Sequence, residues 1–453
     1  MQINKKKRKI GTTRLIVLGF IAIIIIGTLL LMLPVASSSG RPAKFTDALF
    51  TVVSASCVTG LTVVDTATYW SNFGHVVIIV LIQIGGLGFM TMATLLSLLV
   101  KRAVTPKERM LIALSYNLDS YESTTQIVKR VALGTLIFEL IGASLLSIRF
   151  IRDFGFLGGI YKGLFHSISA FCNAGFDIIG VGNENIGGMS YYATDPLINI
   201  TLALLIIIGG IGFVVWSDLV NVQKNKKRLS VYSRFVLLIT LILLIVGTVG
   251  FALFEWTNPQ TIGNMTASQK LVASFFQSST WRTAGFATIN NGSFTQSSQM
   301  LGIILMFIGG ASGSTAGGVK VATVGVLILT VWCTTIGRKR TVFRGRTISH
   351  ESFIRAVAVI CAQLFAVIVG LMILSLDSGF DMMSVAYEVV SAISTVGLTT
   401  GITPQLPLIS QLTICFFMFF GRVGILTITL SIMENQSQSE PNVTYPDARI
   451  LIG

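Results

Sequence analysis

Charge is what this sequence has least of. Asp, Glu, Lys and Arg make up 11% of its 453 residues, against about 25% in soluble globular domains. That shortage excludes a soluble domain. Apolar runs at 15–33 and 197–208, near membrane-spanning length, point instead to an all-α integral membrane protein. Acids are the scarcer sign, 19 against 33 basic residues, which leaves a net charge of +14. A surplus of that size raises the question of nucleic acid. The basic residues carry no interleaved aromatics and no DNA-binding motif, however. They gather in the N terminus through Arg14 and at 101–130, 224–234 and 338–355, each beside an apolar run, as the positive-inside rule requires of cytoplasmic loops. The charge therefore reads as topology, with some attraction to anionic lipid, and no nucleic-acid partner is expected.

Cysteine and histidine are sparse too. The five Cys (57, 172, 333, 361 and 415) show no Cys-x-x-Cys spacing and lie in or beside apolar segments, so neither disulfides nor a metal centre is expected. Gly310-Ala-Ser-Gly313 imitates an intramembrane serine-protease motif. Of the three His, His75 and His166 fall on the outer side and His350 in a basic loop, which leaves that serine without a base; the chain is read as no enzyme. No Gly-x-Gly-x-x-Gly follows a strand, so this chain holds no cofactor and any nucleotide must act through another chain. The run 15–33 follows Lys5-Lys-Lys-Arg-Lys9 but lacks a small-x-small cleavage site. It is read as a mature helix and not as a signal peptide.

What is present is a fourfold repeat. Phe50 to Leu61, Phe165 to Phe176, Phe275 to Phe286 and Tyr387 to Leu398 each place an aromatic ten residues and a Ser six residues before a glycine, and Leu or Phe directly after it. The glycines are Gly60, Gly175, Gly285 and Gly397, a period of about 110 residues. The first part of each stretch suits a short helix, and the glycine suits a backbone position needing positive φ. Such helices, too short to span, read as re-entrant half-helices.

The expected plan is outer helix, half-helix, filter strand, inner helix, repeated around one pore. Unit one has 15–33, 45–57 and 76–100. Unit two has 131–150, 161–172 and 196–219, with Gly209-Gly-Ile-Gly212. Unit three has 235–254, 267–280 and 300–330, and unit four has 353–374, 382–394 and 409–432. Eight spans with both termini inside follow. The chain then divides into a basic cytoplasmic N terminus (1–14), pore units at 15–128, 129–233, 234–352 and 353–433, the third with a broken inner helix, and a cytoplasmic tail at 434–453.

An alkali cation in a bilayer needs oxygens in place of its hydration shell, and backbone carbonyls supply them without net charge. The candidate filter strands are Val58-Thr59-Gly60, Asn173-Ala174-Gly175, Thr283-Ala284-Gly285 and Thr395-Val396-Gly397. Half-helices entering from outside aim their partly negative C-terminal ends at the pore, which favours cations. The third inner helix carries Gly309, Gly310, Ala311, Ser312, Gly313, Ser314, Thr315, Ala316, Gly317 and Gly318. So much glycine will not hold a helix, and broken backbone at membrane depth lines a cavity or is buried in protein. A gate beneath the filter is the functional reading, a small-residue packing face the structural one. Arg422, inside 416–424, is a costly charge at that depth. It reads as an electrostatic barrier that could also donate to loop carbonyls, or as the structural partner of an acid such as Glu139. Lys320 could anchor the loop at the cytoplasmic surface.

Val-Thr-Gly-Leu at 58–61, Asn-Ala-Gly-Phe at 173–176, Arg-Thr-Ala-Gly-Phe at 282–286 and Thr-Val-Gly-Leu-Thr at 395–399 resemble the filters of the TrkH/KtrB/HKT superfamily of potassium transport proteins. The resemblance covers essentially the whole chain. Eight spans and the ending Tyr445-Pro-Asp-Ala-Arg449 look most like its KtrB (or KtrD) branch, although the glycine-rich loop leans toward TrkH. The resemblance implies potassium as substrate, preferred where all four filter positions are Gly, and sodium as stimulating ion. It also implies a homodimer in a bacterial cell membrane and a cytoplasmic nucleotide-binding ring of KtrA or KtrC type. The rival reading is a sodium-coupled secondary symporter of a small solute, also built from repeats and broken helices.

Overall fold

The computed structural model describes residues 12–88, 92, 124–180, 188–225, 228–338, 340–377 and 379–424. Four of its helices are long and apolar enough to cross a membrane: Arg14–Leu31, Val128–Phe171, Val231–Glu255 and His350–Leu376. They supply the outer helices expected of the four units. Their outward faces are bare hydrocarbon, with Leu18, Ile26, Leu29, Leu241, Ile245, Phe365 and Met372 all exposed. Such faces need lipid or another apolar surface against them.

The half-helices are Phe45–Ser56, the end of Thr124–Phe171, Ala267–Thr280 and Met382–Ile393. Their starts are fixed by side-chain caps in units three and four. Thr266 and Gln269 form a capping box, and Asp381 accepts from Met383 N at 3.1 Å; each satisfies first-turn donors that the helix itself cannot. Unit two differs from the expected plan. Its outer helix and half-helix run together from Thr124 to Phe171, and the reversal is made at Gly155 (φ 71°, ψ 174°), a conformation that only glycine adopts cheaply.

The half-helices of units one and four are each wedged between the inner helix of their own unit and that of the unit before, and Ala267–Thr280 packs on the second inner helix, Pro196–Gly210. Phe45–Ser56 packs on both Asn72–Leu87 and Leu408–Val423, and Met382–Ile393 on both Leu408–Val423 and Gln296–Phe307. The first and fourth units are thereby brought together, and the packing closes on itself.

The inner helices depart most from expectation. They are Asn72–Leu87, Pro196–Gly210, Gln296–Phe307 and Leu408–Val423, where helices over 76–100, 196–219 and 409–432, and one over 300–330 broken at 309–318, were expected. At 1.5 Å per residue the longest reaches roughly 24 Å, short of a bilayer's apolar core. Not only the third is interrupted. The first ends at Gly88 (φ 85°) and the fourth at Gly424 (φ 88°). The second turns by 94° into Phe213–Val222, with Gly212 at φ 93°. The remainder of the first and fourth, the basic stretch at 101–123 and the tail at 434–453 lie outside the described residues. Within the basic stretch 338–355, Val342–Phe343 and Arg346–Thr347 pair as a hairpin turned by Arg344 and Gly345, both at positive φ as a tight primed turn requires.

Candidate ion pathway

The four candidate filter strands share one backbone conformation. Val58, Asn173, Thr283 and Thr395 have φ between 50° and 69°, and Gly60, Gly175, Gly285 and Gly397 between 69° and 98°; the residues between them do not have positive φ. An extended strand sends successive carbonyls to opposite sides. Left-handed residues at every second position turn them toward one side instead. Asn tolerates this region, but Val58, Thr283 and Thr395 are β-branched, and each gives up roughly 1–2 kcal/mol to sit there. Strain repeated at three equivalent positions marks a site whose geometry is imposed by its surroundings.

The surroundings are the half-helices. Thr59, Ala174 and Val396 N donate to Ser54, Ser169 and Ser391 O at 2.7–2.8 Å, folding each strand back on its helix. The repeated Ser contributes its hydroxyl as well. Ser54 and Ser391 Oγ each accept from the filter glycine N at 3.0 Å, and Ser169 Oγ donates to Phe176 O at 3.0 Å. Unit three is shifted by one residue. Ser279 is turned back to Phe275 O, Thr280 Oγ1 donates to Phe286 O at 2.7 Å, and Phe276 is fully buried while Phe275, the aromatic of the repeat, is only partly so.

The four glycines stand in a closed ring. A Cβ built on Gly60 would lie 2.4 Å from Ala174 O, one on Gly175 2.7 Å from Ala284 O, one on Gly285 2.4 Å from Val396 O, and one on Gly397 2.0 Å from Thr59 O. Each glycine therefore touches the carbonyl of the next unit's strand, and the fourth returns to the first. Below the ring, Asn173 places an amide atom 3.3 Å from Thr283 Oγ1, while Thr59 and Thr395 Oγ1 are buried with no hydrogen-bond partner.

The glycine-rich loop lies against the inner side of this ring. It leaves and returns through a short parallel bridge between Ile308 and Val319. Gly309 N donates to Val319 O at 2.9 Å and Gly310 O accepts from Val321 N at 2.9 Å. Its tip reaches the broken second inner helix. Ala311 N and Thr315 N donate to Gly210 and Gly209 O, and Gly313 O accepts from Phe213 N at 2.9 Å. Ser312 stands beside Gly212, and Ser314 Oγ closes the turn on Ala311 O at 2.7 Å. Thr315 Oγ1 donates to Phe171 O. Gly317 has no room for a side chain, since a Cβ there would stand 2.0 Å from Thr395 Oγ1, and Gly318 makes the exit turn at φ 65°.

Two cations hold the loop. Arg422 donates to Thr315 O at 2.5 Å, to Gly86 O at 3.1 Å and to Gly85 O, and Lys320 Nζ donates to Ala316 O at 2.8 Å. Arg422 is thus joined to one loop carbonyl and two of the first inner helix and, among the described residues, to no carboxylate. Glu139 lies elsewhere, buried on the second outer helix with one carboxyl oxygen unpartnered. Lys320 closes the loop on itself.

Two buried groups at the outer end have roles that the sequence reading missed, although it placed His166 on that side. His166 Nδ1 faces Lys162 O at 2.7 Å and Nε2 faces Asp177 Oδ1 at 2.8 Å, so both ring nitrogens meet oxygen. Glu388, fully buried on the fourth half-helix, accepts from Thr403 Oγ1. Polar residues inside so apolar a chain were the available signal. No group of three His, Cys, Asp or Glu gathers among the described residues.

The family profile described as TrkH, cation transport protein, matches residues 6–440. This chain belongs to the TrkH family. Its TrkH-family relatives include the potassium/sodium uptake protein NtpJ of Enterococcus hirae, 37% identical over 100% of both chains. The Ktr system potassium uptake protein B of Bacillus subtilis is 39% identical over 97% of this chain and 96% of its own. That of Vibrio alginolyticus is 36% identical over 99% and 97%. Among solved structures, the potassium transporter TrkH from Vibrio parahaemolyticus superposes with a TM-score of 0.72 at 18% identity, covering 95% of this chain and 86% of that one. The fold expected from the repeats is therefore the TrkH fold, mostly helical with several apolar helices.

Proposed function

We propose that this chain is the potassium-translocating membrane subunit of a Ktr-type uptake system. The observation that carries the reading is the closed ring of four strands whose carbonyls turn to one side, in a protein whose relatives are named for potassium uptake. Potassium exchanges its hydration shell for carbonyls of 58–60, 173–175, 283–285 and 395–397. The loop 309–318, held by Arg422, closes the path below, by sterics and by repulsion of cations. The unit boundaries set out above describe four such hairpins around one pore.

The remaining parts of the proposal rest on the family resemblance. Sodium stimulates uptake, two copies assemble as a homodimer, and a soluble nucleotide-binding ring of KtrA or KtrC type docks on the basic loops; the placement of both termini in the cytoplasm rests instead on the basic patches. The hairpin at 342–347 belongs to that face. Phe343 meets Phe235 of the third outer helix at 4.9 Å between ring centroids, which holds Arg344 and Arg346 outward.

The test is cation flux through purified protein in liposomes, comparing potassium, sodium and an organic solute. Potassium flux that persists without the solute supports the pore. Obligatory co-transport of the solute would move the chain to the symporter class.

A further inference from the structure

The third filter strand carries a charge that the pathway above does not use. Three residues before each filter glycine the chain places Cys57, Cys172, Arg282 and Ser394, just past the half-helix and at the inner end of its strand. All four are buried, and three are neutral. Arg282 is 6% exposed. Among the described residues it forms no ion pair, and its Nε is buried with no hydrogen-bond partner. Arg422 and Lys320 each donate to a loop carbonyl; Arg282 has no counterpart to those bonds among the described residues.

The backbone holds this residue in place. Arg282 N donates to Ser279 O at 3.2 Å. On one side Trp281 Nε1 donates to Tyr387 OH at 3.0 Å, and on the other Thr283 Oγ1 lies 3.3 Å from the Asn173 amide. Burying a charge without a partner is costly, and a charge kept there acts on its surroundings through its field. The sign of that field is definite. Each half-helix points a partly negative end at the pore, roughly half a unit of charge, so the four bring about two units and one arginine offsets about half of them. The offset falls at the inner end alone, because the strand after Arg282 runs outward. A cation in the ring is therefore held more firmly by the outer carbonyls than by the inner ones.

We propose that Arg282 makes the filter directional. Its charge lowers cation occupancy at the inner end, so potassium arriving from outside is released inward readily and potassium in the cytoplasm enters poorly. The gradients still set the direction of net flow; the arginine makes the rates from the two faces unequal at equal driving force. This role rests on the pore reading above and differs from that of the gate, since a closed loop blocks both directions alike.

The experiment measures tracer rubidium uptake by membrane vesicles holding the full chain, right-side-out for inward transport and inverted for outward transport. Potassium is equal on both faces, and the interior-negative voltage is the same in both preparations. Wild type should run faster inward. Arg282→Gln should raise the outward rate roughly threefold or more and bring the ratio toward one. Arg282→Lys, which keeps the charge, should stay near wild type. Inverted vesicles also expose the inner mouth to blocking cations. There Arg282→Gln should be inhibited by less caesium and by far less barium, with barium's fold-change near the square of caesium's, because a potential acts on each unit of charge. Rubidium transport with an unchanged ratio overturns the proposal alone, as do equal shifts for caesium and barium. A wild-type ratio that changes when gluconate replaces chloride overturns it by giving Arg282 a bound anion. Removing an unpaired charge should leave the thermal midpoint of the purified protein unchanged or higher; a sharp fall in Arg282→Gln overturns it by making the arginine structural. Wild-type vesicles that carry no rubidium in either direction would instead fail the pore reading itself.

Discussion

His166 and Glu388 occupy the same position in two opposite units, each nine residues before its filter glycine (175 − 166 and 397 − 388). Each reaches over to the residue two places beyond that glycine, His166 to Asp177 and Glu388 to the Thr399–Thr403 pair. Units one and three place Thr51 and Phe276 there. The ring that looks fourfold in its backbone is therefore twofold in the polar groups that brace it.

That brace gives the first prediction. His166→Ala removes a hydrogen bond to a carboxylate, worth about 1.5–3 kcal/mol, and leaves Asp177 Oδ1 with Ile179 N at 2.6 Å. The variant should unfold at lower temperature and lose apparent affinity for potassium. Unchanged uptake kinetics at unchanged stability would remove His166 from the support of the filter.

The glycine ring gives the second. Gly397→Ser should be the most damaging of the four changes, because its Cβ would press on Thr59 O at 2.0 Å. Gly60→Ser should also displace a carbonyl of the neighbouring strand. Potassium preference over sodium should fall in both, read as the ratio of uptake rates at equal expression. Preserved ratios in both would refute the filter assignment.

A third prediction concerns the loop. Arg422→Gln exchanges a forked cation, joined to one loop carbonyl and two carbonyls of the first inner helix, for a neutral amide. Charged hydrogen bonds at about 1.5–3 kcal/mol each are enough to shift a closed state by tenfold or more. Potassium flux should rise and depend less on a regulator; deletion of 311–317 should do the same. Arg422→Lys should do less, since the charge remains although the fork is lost. A fall in flux in both the Gln variant and the deletion, with insertion intact, would make the loop structural.

A fourth concerns the cytoplasmic partner. Reversing Arg344 and Arg346 to Glu removes two basic residues from the 342–347 hairpin, exposed in the isolated chain, and should weaken capture of a soluble ring in a salt-sensitive manner. Pull-down from cytosol reads this directly. Equal recovery by wild type and the double variant would leave those charges to topology alone.

The repeat was legible because its glycines, aromatics and serines keep fixed spacing, and the half-helix at 267–280 was read to the residue. The left-handed turns at Val58, Thr283 and Thr395 were not, since β-branched residues by themselves read as ordinary strand; only closure against three neighbouring strands imposes them. The one-residue shift in unit three was hidden for a similar reason. Ser279 and Thr280 are both able to cap a strand, and packing chose the second. The breaks at Gly88, Gly212 and Gly424 sit in apolar runs that hydropathy joins. The contact of Arg422 with the loop followed from equal depth below the filter, but its bonds to Gly85 and Gly86 needed the first inner helix to end there.

The loop at 309–318 has bonds to carbonyls of the second inner helix, to Arg422 of the fourth and, through that arginine, to the end of the first. A segment moored at three points cannot swing by degrees, because releasing one leaves the others holding. In the function proposed above, opening the path is then a two-state event with a threshold, since a regulator pulling on any one of those helices works against the same shared latch. Potassium flux should accordingly answer its signal steeply, by switching the whole population between blocked and conducting forms.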